Sequence, residues 1–98
     1  MKFGLKNEII EKIQQVLTKY PNVVRAVIFG SRARGDYKYN SDIDLAVYCE
    51  DRIPTGLRLD LDEAAGIYKI DVVDMNSPLN ERFRQRIEEQ GIEIYRKE

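Results

Sequence analysis

The chain has 98 residues, 43% hydrophobic and 34% charged, which is the composition of a globular domain and not of a disordered segment. Its 16 basic and 17 acidic residues give a net charge of -1, so the charge balance provides no general attraction to nucleic acid or to an anionic membrane. There is no histidine and a single cysteine, Cys49, which excludes histidine triads, histidine metal sites and an internal disulfide.

Residues 1–98 are expected to form a single domain, because a chain of this length holds one hydrophobic core. The N-terminal stretch MKFGLKNEIIEK lacks the apolar segment of a signal peptide, and no window approaches the roughly 18 apolar residues of a membrane span. Together with the lone cysteine, these features predict a soluble protein of the reducing cytoplasm that binds no membrane and does not bind nucleic acid directly.

Helical and strand patterns alternate along the chain. The apolar spacing predicts an amphipathic helix over 5–20, which ends at Pro21. The last long helix is expected to start with Ser77 as its N-cap and Pro78 at its first position, and to end at Gly91. The other patterns predict strands over 23–29, 42–48, 69–75 and 92–95, a helical turn and loop over 32–40, a short helix over 57–68 and the last helix over 78–90. This alternation predicts an α/β fold with a sheet of three or four strands.

Two aspartates, Asp42 and Asp44, stand inside the second predicted strand. Side chains alternate between the faces of a strand, so these two carboxylates share one face, about 7 Å apart, and the apolar residues between them share the core face. Without a counter-ion they would repel each other and one pKa would rise, a penalty that a bound Mg²⁺ would remove. The alternative is a pair of solvent-facing residues on a one-sided sheet, although aspartate is depleted in strands.

The third predicted strand, KIDVVDM, adds another carboxylate. Ile70 and Val72 fit the core face, so Asp71 falls on the opposite face, where it can join the first two aspartates. Asp74 would face the core, which is costly for a charge, and we expect it to be a cap or turn residue. Three carboxylates on adjacent strands could hold two metal ions roughly 4 Å apart, as in phosphoryl or nucleotidyl transfer. A lone edge charge is the alternative for Asp71.

A glycine-serine turn closes the first predicted strand. Gly30 lets the backbone approach a ligand closely, and the following amides with the Ser31 hydroxyl can bind a phosphate. Arg34 is the neighbouring residue that we expect to contact the phosphates, whereas Arg32 is equally well interpreted as a solvated surface residue. By itself, the glycine-serine pair indicates only an ordinary turn. It indicates a phosphate site only in combination with the aspartates that follow.

The combination of GSRARG, SDIDL and IDVV resembles the nucleotidyltransferase superfamily typified by DNA polymerase beta, and in particular the minimal nucleotidyltransferases. The resemblance extends from the first helix to the terminal GIEIYR strand. It implies a nucleotidyltransferase fold of the α/β (α+β) class, a small mixed sheet with helices packed mainly on one face. It also implies that Gly30 and Ser31 hold the nucleoside triphosphate, and that Asp42, Asp44 and Asp71 are catalytic residues that bind two Mg²⁺ ions.

Minimal nucleotidyltransferases are often the antitoxins of modules whose toxin is a HEPN-domain ribonuclease. The resemblance therefore implies transfer of a nucleoside monophosphate, AMP from ATP, to a hydroxyl, with a tyrosine of a cognate HEPN toxin as the acceptor. Two alternatives stay open at this point. One is an antitoxin that neutralises its toxin by binding alone, and the other is a transferase acting on a small molecule. The acceptor pocket is expected to come from a partner protein or from a second copy of the chain.

A few further side chains are interpreted from their context. Tyr37 and Tyr39 are expected to pack locally over their loop, with base stacking or a partner interface as the alternative. Cys49 is expected to be a core thiol and not a nucleophile. The leucines at 57, 59 and 61 exceed what one small helix face needs, which suggests an interface there.

Overall fold

The computed structural model describes residues 2–98. Within this range the chain forms four helices and four strands in alternation, in the order α1 (Asn7–Thr18), β1 (Val23–Phe29), α2 (Ser31–Arg34), β2 (Ile43–Cys49), α3 (Leu57–Ala64), β3 (Ile70–Asp74), α4 (Glu81–Gln90) and β4 (Ile92–Arg96). The predicted α/β alternation is confirmed, and the first strand has the predicted bounds.

The four strands form one mixed sheet with the order β3-β2-β1-β4. β1 is antiparallel to both of its neighbours, β2 and β4, whereas β3 runs parallel to β2. The parallel pair requires a crossover connection, which α3 supplies. β2 is thus an inner strand with β1 on one side and β3 on the other, and this places the end of β1 and the start of β3 on either side of the first residues of β2.

One face of the sheet is closed by α1 and α3. Alternate residues of the strands point to this face and join the apolar stripes of the two helices in a continuous buried cluster. Ile43 and Leu45 of β2 and Ile70 of β3 belong to it, as predicted from the alternation. Burial of this apolar surface is the main source of stability, at about 25 cal/mol per Å².

The other face is covered only in part, by α4. Its buried cluster is small and contains Val27, Phe29, Ala46, Met75 and Ile87. Phe83 of α4 meets Phe29 edge-to-face, with ring centroids 5.8 Å apart at 76°. Two of the longer helices lie on one face and one on the other, in agreement with the expected fold.

The start of α4 differs from the prediction. The helix begins at Glu81, and its N-cap is Asn80, whose side-chain oxygen accepts hydrogen bonds from the backbone N–H groups of Arg82 and Phe83. Ser77 cannot act as the cap, because its hydroxyl donates to the Asp74 carbonyl 2.6 Å away and closes a turn after β3. A better cap three residues further along therefore defines the helix start.

Other boundaries shift by a few residues. β2 begins at Ile43, so Asp42 lies immediately before the strand and not within it. α3 ends at Ala64, four residues before the predicted end at Tyr68. Gly91 does follow α4, and its N–H donates to the Ile87 carbonyl at 2.7 Å, but its backbone is extended instead of left-handed. No helix formed by residues 2–98 combines the length and apolar character that crossing a bilayer requires.

Candidate active site

The parallel pairing of β2 and β3 places two of the predicted site residues side by side. Asp44 and Asp71 are direct partners in the register, on the face opposite the large core. Asp42 lies two residues before Asp44, at the entrance to β2. The structure thus brings together all three aspartates at one end of the β2–β3 pair.

The electrostatics of Asp44 reflect its burial and the two neighbouring carboxylates. Its pKa is raised, first by burial and then by the negative charges of Asp71 and Asp42, while the positive charge of Arg34 acts in the opposite direction. Like charges this close disfavour the ionised form, and an added cation would reverse the effect. The site is therefore short of positive charge.

Oxygen ligands of this kind suit Mg²⁺, which takes one or two carboxylates and completes its octahedron with water and phosphate oxygens. Within residues 2–98, no three acidic or cysteine side chains already form an arrangement that encloses a metal ion. The donor set fits a dication by its chemistry and its charge, and the remaining ligands of the metal would have to come from solvent and substrate.

Gly30 lies against the same carboxylate. Its neighbour Phe29 pairs with Asp44 in the antiparallel register, and a Cβ atom on Gly30 would collide with Asp44 Oδ2. The backbone of Gly30 also has φ +74°, a conformation that side chains disfavour. Both observations require glycine here, and they place the Gly30-Ser31 turn beside the aspartates.

The two arginines of the GSRARG stretch have different environments. Arg34 is partly exposed and pairs with Asp36 at 3.4 Å. Its positive charge opposes the rise in the pKa of Asp44, so this charge acts on the site. Arg32 was interpreted as a possible surface residue, and that interpretation is wrong, because only 2% of it is exposed. The two positions look alike in the sequence, and only the packing of the one-turn helix α2 decides which of them points inward.

Asp74 does not join the other carboxylates. It ends β3, and its side-chain oxygens accept hydrogen bonds from the backbone N–H groups of Asn76 at 2.9 Å and Ile53 at 3.4 Å. The prediction of a cap or turn role is confirmed.

Two open pockets border the aspartates. One of about 480 Å³ adjoins Asp71 and is lined by Arg58, Leu59, Asp62, Ile70 and Val72. The other, of about 290 Å³, adjoins Asp42 and is lined by Tyr39, Asn40, Ser41, Ile67, Tyr68 and Lys69. Both aspartates therefore border open surface, and the pocket at Asp71 lies against α3, on the helix-covered side of β3.

For the remaining side chains, the structure agrees with some of the predicted locations and differs from others. Cys49 is buried, as predicted, and burial raises its thiol pKa from 9.0 to about 11. Tyr37 covers Arg32, but Tyr39 does not pack locally, since 88% of it is exposed. Of the three leucines of α3, two belong to the core and only Leu59 is exposed, at 63%.

Comparison with known proteins gives the family and relatives of the same fold. Residues 11–98 match the family model described as polymerase beta, nucleotidyltransferase. No curated protein sequence matches the chain significantly. The chain resembles a solved toxin-antitoxin structure with AMP-PNP, with 28% identity and a TM-score of 0.74 over 90% of this chain and 73% of the other.

Two further solved structures show the same fold. A candidate minimal nucleotidyltransferase is 27% identical, with a TM-score of 0.72 over 94% of this chain and 95% of the other. A complex of a tri-AMPylated Shewanella oneidensis HEPN toxin with an MNT antitoxin matches at 24% identity, with a TM-score of 0.69 over 95% of this chain and 74% of the other. Because the polymerase beta family model matches residues 11–98, which is most of this chain, the chain belongs to the polymerase beta nucleotidyltransferase family.

Proposed function

We propose that the protein is an antitoxin that transfers AMP from ATP to a tyrosine hydroxyl of a cognate HEPN-domain toxin, with Mg²⁺ as the cofactor; the bond between the α- and β-phosphates breaks, pyrophosphate leaves and the tyrosine hydroxyl loses its proton. The observation that carries the proposal is the pairing of Asp44 with Asp71 on the open face of the sheet, directly beside the Gly30 turn. A carboxylate cluster next to a backbone turn that tolerates no side chain is suited to a metal-bound triphosphate.

In this proposal the three aspartates Asp42, Asp44 and Asp71 hold two Mg²⁺ ions. The chemistry that Mg²⁺ would supply there is neutralisation of the phosphate charge and a lower pKa of the attacking hydroxyl. The pKa of Asp44, which is raised first by burial and then by the charges of Asp71 and Asp42, supports this role, because a bound cation would favour the ionised carboxylate.

The proposed triphosphate contacts are Gly30, Ser31 and Arg34. Gly30 leaves the backbone open beside Asp44, and the Ser31 hydroxyl and amide can donate to phosphate oxygens. Arg34, whose charge already acts on Asp44, would offset the negative charge of the phosphates. These groups orient the donor, and catalysis would come mainly from positioning and electrostatics.

The nucleotide and the partner are proposed from the relatives. The 28% identical toxin-antitoxin structure contains AMP-PNP, which supports an adenine nucleotide as the donor. The HEPN complex shares the fold at 24% identity, so the HEPN partner and the AMP modification are carried to this chain as a proposal. The open pocket beside Asp42 leaves room for a protein side chain to approach this aspartate.

The test is a transfer assay with ATP labelled at the α-phosphate, Mg²⁺ and a HEPN protein supplied as the proposed partner. We expect label on the HEPN protein, a mass increase of one or more AMP units, and no transfer by the double variant Asp42→Asn/Asp44→Asn. Asp51→Asn, an exposed aspartate away from the cluster, is the matched control. Absence of transfer by the wild type, or equal transfer by the double variant, would show that the proposal is wrong.

Neutralisation by binding alone is the second candidate. Its support is the similarity of the chain to a solved toxin-antitoxin structure, which agrees with neutralisation by complex formation as well as with transfer. Expression of Asp44→Ala with the toxin distinguishes the two. Full protection of the cells by this variant supports binding, and loss of protection supports catalysis.

A further inference from the structure

Arg32 is the one charged side chain among residues 2–98 that is buried in the molecule. No carboxylate in this range lies within ion-pair distance of it. Burial of an unpaired cation is costly, so its donors must be satisfied in another way. The way in which they are satisfied connects this residue to the candidate active site.

The guanidinium group of Arg32 is bound by backbone carbonyl groups. Its Nε and Nη2 both donate to the Ser41 carbonyl, at 3.2 and 2.8 Å. Nη2 also donates to the Tyr39 carbonyl at 3.4 Å, and Nη1 to the Phe3 carbonyl at 2.9 Å. Such a set of acceptors matches the planar fork of arginine and not the point charge of lysine.

Two aromatic rings complete the environment. The Cζ atom of Arg32 lies 5.3 Å from the ring centroid of Tyr37 and 5.0 Å from that of Tyr68. Cation–π contacts at this distance stabilise a desolvated guanidinium and restrict its rotation. The carbonyl groups and the two rings together hold the side chain in one orientation.

Two of the contacts of Arg32, with Ser41 and Tyr68, lie close in sequence to the site aspartates. Arg32 follows Gly30 by two residues, the Ser41 carbonyl belongs to the peptide that leads into Asp42, and Tyr68 comes three residues before Asp71. The segment before Asp42 is itself a tight turn, because the Ser41 hydroxyl accepts from the Lys38 N–H at 2.8 Å. Arg32 fastens the end of that turn to α2.

We infer that Arg32 is a positioning residue, which fixes the Asp42 segment relative to the Gly30-Ser31 turn so that the metal ligands and the triphosphate contacts keep one geometry. The inference rests on the proposed function. It explains why a costly buried arginine stands where an apolar residue would fill the same space, since an apolar residue could not bind the Ser41 carbonyl. Arg32 touches neither metal nor nucleotide in this inference and acts through the backbone.

The test measures Mn²⁺ binding by electron paramagnetic resonance in the presence of AMP-PNP, so that no turnover is needed. Arg32→Lys keeps the charge and loses the fork, and we expect its Mn²⁺ affinity to fall at least about tenfold, as for other residues that orient metal ligands. Leu17→Ala, a fully buried position of α1, is the control for general destabilisation. Both variants are compared with the wild type at equal distance below their melting temperatures.

Unchanged Mn²⁺ affinity in Arg32→Lys, or an equal loss in Leu17→Ala, would overturn the inference. If Arg32→Lys does not fold, Tyr37→Leu removes one supporting ring and is measured instead, with weaker Mn²⁺ binding supporting the inference and unchanged binding overturning it.

A wild type that binds no Mn²⁺ with AMP-PNP would contradict the proposed function and leave the role of Arg32 to a second measurement. The backbone amide signals of residues 41–44 in a nuclear magnetic resonance spectrum then decide it. Displacement of these signals in Arg32→Lys but not in Leu17→Ala supports the inference, and signals that stay in place overturn it.

Discussion

The face of the sheet under α1 and α3 is closed, whereas the opposite face is covered only in part by α4. The closed face buries seventeen residues in one cluster, and the open face buries five. Neighbouring residues of the same strand belong to different faces, so Leu45 lies in the large core and Asp44 among carboxylates. In a domain this small, the closed face supplies the stability. The open face can then hold like charges close together, although their repulsion lowers the free energy of unfolding.

Substitution of two adjacent residues of β2 tests most directly whether the two faces of the sheet have different roles. We expect Asp44→Asn to lower nucleotidyl transfer about a thousandfold, because several kcal/mol of charge stabilisation by the metal is lost. Leu45→Ala should cost about 2–5 kcal/mol of unfolding free energy and leave the activity per folded molecule close to that of the wild type. Labelled-ATP assays and urea unfolding measure the two quantities. Equal effects of both variants on both quantities would contradict the division between the faces.

Asp44→Asn is also expected to raise the unfolding free energy in the absence of metal, by less than about 1 kcal/mol, because the group is partly exposed. The folded state raises the pKa of Asp44 above its usual 3.8, so it binds the proton more tightly than the unfolded chain does. The ionised carboxylate therefore costs stability above the raised pKa, and this cost disappears as the pH falls toward 3.8. The advantage of the variant should disappear over the same range in unfolding curves recorded against pH.

The two aspartates of β3 offer a second contrast. Asp71→Asn should abolish most of the transfer and leave the melting temperature nearly unchanged. Asp74→Asn should keep the transfer rate per folded molecule and lose about 1 kcal/mol, since it weakens the bonds to the N–H groups of Ile53 and Asn76. Transfer assays and thermal melts of both variants check this, and a large loss of activity in Asp74→Asn would place it in the site.

Two glycines, one on each side of α2, allow a collision with Asp44 to be compared with backbone strain alone. Gly30→Ala should lose both stability and transfer, because its Cβ would collide with the Asp44 carboxylate. Gly35→Ala meets no atom within 4 Å and should cost only the strain of its φ of +95°, about 1 kcal/mol. Thermal melts and transfer rates separate strain from collision. Equal losses in the two variants would mean that the contact with Asp44 has no importance.

The smallest effect is expected at Cys49, on the closed face. Burial raises its thiol pKa to about 11, which leaves roughly a hundredfold less thiolate at pH 8 than an ordinary cysteine has. Alkylation by iodoacetamide should therefore be slow in the folded protein and rapid in urea. Rapid modification of the folded protein would show that the face is not closed.

Local patterns predicted much of the fold because they record which side of an element is buried. The alternation in β2 and β3 assigned Asp44 and Asp71 to the face opposite Ile43 and Ile70, and the structure places them there. The helix start was predicted at Ser77-Pro78, but α4 is capped by Asn80. The Ser77 hydroxyl donates instead to the Asp74 carbonyl in the turn after β3, an interaction between neighbouring elements that the local cap pattern does not include.

Arg32 was missed for a different reason. Its burial depends on carbonyl groups of Phe3, Tyr39 and Ser41 and on two tyrosine rings, which come from segments distant from one another along the chain. No local pattern distinguishes it from Arg34. A buried polar network of this kind becomes visible only when the segments that build it are assembled.

By itself, the sequence determined the alternation of elements, the two faces of each strand and the chemical types present near the Gly30-Ser31 turn, because side-chain periodicity is a local property. The tertiary structure alone decided that Asp44 pairs with Asp71 in parallel register, that Gly30 approaches Asp44, and that Arg32 points inward and Arg34 outward. These outcomes depend on which strands become neighbours and in what register. That choice is made by the burial of the large core as a whole and not by any single segment.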